Sequence, residues 1–157
     1  MDGSIPQRGV IVPQPVYRAP AQFSPLHPIK FAENRQHGMN LGNAFKKNFA
    51  GLANKDVRPV ISETAKKVTI RVNWPGYEAW STVVHIVDHS FEGRPTNMAK
   101  LAHDIAKVIN ELKKDMSAVQ PRDPNWSLEK LNLDSLLLLE LRHVSAGSWQ
   151  PVLSLDL

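Results

Sequence analysis

No cysteine occurs in these 157 residues. That excludes disulfides, thiolate metal sites and cysteine nucleophiles together. A small secreted domain usually carries covalent staples, so their absence favours an intracellular protein, cytoplasmic or nuclear. No apolar run approaches the roughly 20 residues that a membrane-spanning helix needs. The opening stretch MDGSIPQRGVIVPQPVY has no apolar signal core, and the expectation is no membrane partner. On that reading the sequon Asn125-Trp126-Ser127 is a coincidence. The chain also lacks a phosphate-binding glycine loop, a nucleophile elbow and a zinc-ligand spacing, so no cofactor and no metal are expected.

What is present resembles an ordinary soluble domain, with 42% hydrophobic and 22% charged residues. At this length one hydrophobic core is the default. The formal charge of +4 raises the question of a nucleic-acid partner. It is spread thinly: residues 1–40, 41–115 and 116–157 carry +2, +4 and −2. Such a balance favours solubility over a dedicated phosphate-binding face.

Proline is uneven. Six of the twelve lie in the first 28 residues, where no helical or strand period is visible. Residues 1–30 are therefore expected to form a disordered or extended arm, preceding one domain over 31–157. Its apolar residues Val10, Ile11, Val12, Val16, Tyr17 and Phe23 offer a second possibility, an arm packed on its own domain or on a partner.

The segment NLGNAFKKNFAGL, residues 40–52, places Leu41, Ala44, Phe45, Phe49 and Leu52 on one helical face. Asn40 can cap its start and Gly51 suits its end. Next, Val68, Ile70, Val72 and Trp74 alternate with polar residues, and Trp80, Thr82, Val84 and Ile86 do so again. Both runs predict half-buried strands with even-numbered residues facing one core. The corner WPGYEAW joins them. A two-residue Pro75-Gly76 turn would reverse the parity of the second strand, whereas a loop of about five residues, Pro75 to Ala79, keeps both faces in register. Proline pre-sets the first turn angle and Gly76 supplies a positive φ. Tyr77 is then the residue left most exposed.

From 95 to 116, Met98, Leu101, Ile105, Val108, Leu112 and Met116 step by three or four residues. The opposite stripe is Lys100, Asp104, Lys107, Glu111 and Lys114. Together they predict a long amphipathic helix with a solvated charged face. Residues 115–126 read as a surface connection. Leu136–Leu139 with Leu141 predicts a strand buried on both faces, and WQPVLSLDL a final strand with Leu153, Leu155 and Leu157 on one side. The fold class expected is α+β: a short helix, an antiparallel β-hairpin, a long amphipathic helix packed on the sheet, and a C-terminal strand pair.

The ordered motifs WPGYEAW, KLAHDIAKVI and LRHVSAGSWQP, with NLGNAFKKNFAGL upstream, resemble a group of small hypothetical proteins of mushroom-forming fungi. The resemblance covers roughly residues 37–152. It implies kinship but no activity, since none is established for the group. The stretch VVHIVDHSFEGRPTN is more apolar and less basic than its counterpart there.

Chemistry-bearing clusters are sparse. His85, Asp88 and His89 combine metal-ligand residue types, yet on a strand the two histidines stand two steps apart with Asp88 on the other parity. Asp88-His89-Ser90 contains triad residue types, but consecutive residues do not present triad geometry. His143, beside Arg142 and near Ser145 and Ser148, fits a hydrogen-bonded structural histidine. No catalytic residue is assigned. The leading expectation is a non-enzymatic protein-interaction or self-association module. Its contact residues would be Tyr77 at the corner and Leu137 and Leu139 on a leucine strand that invites association if left at an edge. The alternative is a weakly basic nucleic-acid-binding domain using Lys66, Lys67, Arg71, Arg94 and Lys100.

Overall fold

The computed structural model describes residues 9–62, 65–88 and 94–156. In chain order its strands begin with β1 (Val10–Ile11), β2 (Ile29–Lys30), β3 (Ala32–Glu33), β4 (Gln36–His37) and β5 (Met39–Asn40). Helix α1 (Leu41–Phe45) is followed by β6 (Lys67–Val72), β7 (Trp80–His85), β8 (Val87–Asp88) and β9 (Arg94–Pro95). The long helix α2 (Met98–Asp115) leads to β10 (Leu136–Ser145) and β11 (Ser148–Leu155). The architecture is α+β, as the residue patterns predict.

The principal sheet runs β2-β10-β11-β6-β7. The tight turn at Ala146-Gly147 makes β10 and β11 an antiparallel pair, with Ser145 opposite Ser148. β6 lies parallel to β11 and antiparallel to β7. The β6–β7 register sets Val68 against Val84, Ile70 against Thr82 and Val72 against Trp80. Even residues therefore share one face, and the connection spans seven residues, Asn73 to Ala79, rather than five. Within it Tyr77 N–H donates to the Trp74 carbonyl at 3.2 Å and Gly76 has φ +85°, which is the signature of a type II turn with proline first and glycine second.

α2 covers the even face. Asn97 caps it by accepting from Lys100 N–H at 2.8 Å, and Leu101, Ile105, Ile109 and Leu112 join Val68, Ile70, Val72, Trp74 and Val84 in one buried cluster. Each such aliphatic side chain contributes about 1.5–3 kcal/mol by leaving water. α1 is shorter than its apolar pattern predicts. Lys47 adopts φ +61°, Asn48 N–H reaches back to the Asn43 carbonyl at 2.8 Å and Lys47 N–H to Ala44 at 3.2 Å. This pair of bonds is a Schellman closure, and it ends the helix before Phe49 and Leu52 can join it.

The proline-rich segment is part of the sheet. β1 pairs with β11 and β2 with β10, and Val12, with its N–H donating to the Leu153 carbonyl at 2.9 Å, is buried. A boundary near residue 30 would cut through one sheet, so residues 9–30 belong with the domain. These residues follow the second expectation, an arm packed on its own domain: strand pairing satisfies the backbone at Val10, Ile11, Ile29 and Lys30, and burial of Val12 and Ile29 offsets part of the ordering entropy. Residues 1–8 and Leu157 lie outside the described residues.

Candidate functional site

Each residue expected to make contacts can now be placed. Tyr77 is not exposed: it retains 7% of its accessible surface, and its hydroxyl accepts from Leu128 N–H at 2.9 Å. The turn at Gly76 aims the ring inward, against the short helical turn that begins at Leu128. Leu137 and Leu139 are also withdrawn, at 0% and 2% exposure. β10 is not an edge, because β5 pairs at Leu137 and Leu138, β2 pairs at Glu140 and Leu141, and Phe31 N–H donates to the Leu139 carbonyl at 3.1 Å. Three predicted contact residues are therefore interior, and the hazard that motivated two of them is covered by the chain itself.

The basic residues do not form one surface. Arg71 points to the odd face, where its guanidinium lies 4.0 Å from the Tyr17 ring centroid and donates to Ser148 Oγ at 3.0 Å. Lys100 stands on α2, over the opposite face, paired with Asp104 at 2.7 Å. Lys67 lies opposite His85, Arg94 is exposed in β9, and Lys66 borders a cavity of about 540 Å³ with Arg58, Ile61 and Ile86. The sheet separates Arg71 from Lys100 and leaves no continuous groove lined by all five.

Of the histidine clusters, His89 and Ser90 lie outside the described residues. Among the described residues no group of three or more His, Cys, Asp or Glu side chains gathers as metal ligands would. His143 stacks on Trp149 at 4.6 Å and meets Phe23 edge-on at 4.9 Å. Its Nδ1 accepts from Leu26 N–H at 3.0 Å, so the proton sits on Nε2, facing the Ala146 carbonyl at 3.3 Å. Nδ1 holds the proline-rich segment on the sheet at Leu26, while Nε2 fixes the ring to the β10–β11 turn.

A different surface emerges at the other end of the sheet. Among the described residues β7 pairs with β6 alone. Ile86 N–H donates to the Lys66 carbonyl at 2.9 Å, while Thr69 N–H faces away, to the Gly147 carbonyl at 2.9 Å. In an antiparallel ladder such bonds alternate residue by residue. Even residues of β7 therefore bond inward to β6, and Ser81, Val83 and His85 direct their backbone groups outward. Val83 is 53% exposed. Alongside runs a groove of about 260 Å³ between Thr82–His85 and the α2 residues Lys100, Asp104, Lys107, Val108 and Glu111. Trp80 Nε1–H donates to Asp115 Oδ2 at 3.1 Å, fixing the first residue of β7 to the last turn of α2. The arrangement is a strand edge flanked by a charged helix, which is suited to binding extended backbone.

The β7 alternation was visible in the sequence, but its edge position was not. That position depends on β11 taking the other side of β6, a contact between segments some eighty residues apart in the chain. Among known proteins, no family model, no curated protein and no solved structure matches this chain. No helix among the described residues is long and apolar enough to cross a membrane.

Proposed function

We propose that this chain is a non-enzymatic protein-interaction or self-association module, working inside the cell, that binds by strand addition at β7. The observation that carries the reading is the one-sided pairing of β7 among the described residues, with the backbone of Ser81 and Val83 turned outward beside a groove. Main-chain hydrogen bonds would supply affinity there, and the α2 charges selectivity. Engagement of both His143 nitrogens by backbone groups supports the non-enzymatic part. Nucleic-acid binding draws less support, because Arg71 and Lys100 stand over opposite faces. Kinship with the fungal group named above is part of the same proposal.

The test is selection of ten-residue peptides on the immobilised full chain, followed by anisotropy titration. Selected peptides should alternate β-branched residues and bind Val83→Pro at least tenfold more weakly. Proline at an outward-facing edge position removes one outward N–H and no bond to β6. Peptides that bind Val83→Pro as tightly as wild type, or a selection that enriches nothing, would contradict strand addition.

A further inference from the structure

We infer that the strand β7 receives is β7 of a second copy of this chain, in an antiparallel two-fold dimer; this rests on β7 being an interaction edge. The first observation is the parity of the edge. A two-fold axis through Val83, perpendicular to the sheet, sets Val83 opposite Val83. Val83 is an outward-facing residue, so the ladder continues from one copy to the other without a change of phase.

The second observation is the part of the α2 stripe that lines the groove, from Lys100 to Glu111; Lys114 is not among the lining residues. Lys100, Asp104, Lys107 and Glu111 are separated by four, three and four positions, and their charges read plus, minus, plus, minus. Reversed, the spacing is the same and every sign is opposite. An antiparallel neighbour therefore brings Lys100 of one copy to Glu111 of the other, and Asp104 to Lys107, in both directions. Parallel apposition would oppose like charges.

The two patterns share one groove. Trp80 is tied to Asp115, and Thr82–His85 flank Lys100–Glu111 across the groove, so α2 runs opposite to β7 beside it. The charge stripe and the strand line the same groove, so the proposed axis is placed to serve both. An axis perpendicular to the sheet also keeps both helices on the same side, where their stripes can face each other. A two-fold interface requires a surface complementary to itself, and this one is so in backbone and in charge. Exposed ion pairs are individually weak; here their part is to select the orientation, while the shared ladder and the two Val83 side chains hold the copies together.

Sedimentation equilibrium of the full chain tests the inference. Wild type should pass from 17.6 kDa to twice that mass as concentration rises into the millimolar range. An all-acidic stripe, Lys100→Glu with Lys107→Glu, and an all-basic one, Asp104→Lys with Glu111→Lys, should each associate at least tenfold more weakly. An equimolar mixture of the two should recover the dimer, which mere damage to the helix would not allow. Should the all-basic form not fold, Val83→Pro supplies the second variant and should remain monomeric. A wild-type monomer at every concentration overturns the dimer, as does a wild-type dimer that neither the charge variants nor Val83→Pro weaken. A monomer that still selects peptides at β7 contradicts the dimer and leaves strand addition standing. A monomer that selects none removes both.

Discussion

The phenolic oxygen of Tyr77 lies 2.9 Å from the backbone nitrogen of Leu128 and accepts its hydrogen bond in the protein interior. The ring thereby joins the β6–β7 corner to the segment that follows α2. Tyr77→Phe keeps the ring and leaves the Leu128 N–H unpaired, a cost of about 1–3 kcal/mol. Urea unfolding followed by circular dichroism should show that loss with an unchanged slope. Wild-type stability in Tyr77→Phe would mean that the hydroxyl faces water.

Gly76 is held at φ +85°, and a Cβ there would stand 3.1 Å from the backbone nitrogen of Asp123. The close approach has a cause: Arg122 N–H donates to the Gly76 carbonyl at 2.8 Å. Gly76→Val combines an unfavourable backbone region with that contact and should destabilise by at least about 2 kcal/mol. Thermal unfolding checks it, with Gly147→Val as the comparison, since nothing lies within 4 Å of a Cβ at Gly147.

Lys47 occupies the left-handed position that closes α1, with φ +61°. Glycine carries no Cβ penalty there. Lys47→Gly should raise stability by about 0.5–1 kcal/mol, the reverse of the usual effect of introducing glycine. A lowered midpoint in urea would show that α1 does not end at this residue.

These outcomes mark where the sequence was legible. The even-numbered strand faces, the stripe of α2 and the leucine strand depend on near-neighbour periodicity, and each stands where its pattern predicts. Tyr77 was misread because it lies in a loop, where no period says which way a ring points; the turn at Gly76 decides that. The end of α1 carried no glycine signal, because a lysine fills the left-handed position. The β3–β4 hairpin turns at Asn34 and Arg35, both with positive φ, without the Asn-Gly pair that usually announces such a turn. The cover over Leu137 and Leu139 comes from strands of two residues, too short to show a period at all.

Gln14 shows how the proline-rich segment is fastened. Its Nε2 donates to the Pro151 carbonyl at 2.7 Å, and its Oε1 accepts from Asn73 N–H at 2.9 Å and from Gln150 Nε2 at 3.2 Å. Gln14→Ala strands the Asn73 N–H and loosens the segment. Tryptic cleavage after the exposed Arg18 should accelerate several-fold while the far-ultraviolet spectrum is kept. An unchanged cleavage rate would show that the contacts at Val12, Pro15 and Tyr17 hold the segment down without Gln14.

The outward-facing edge of β7 is tested most directly by amide hydrogen exchange at Val83, followed by NMR across a dilution series. The account predicts rapid exchange in dilute protein and protection that grows with concentration, while Ile70, inside the sheet, stays protected throughout. Rapid exchange at Val83 at every concentration, or protection equal to that of Ile70 in the most dilute sample, would contradict it.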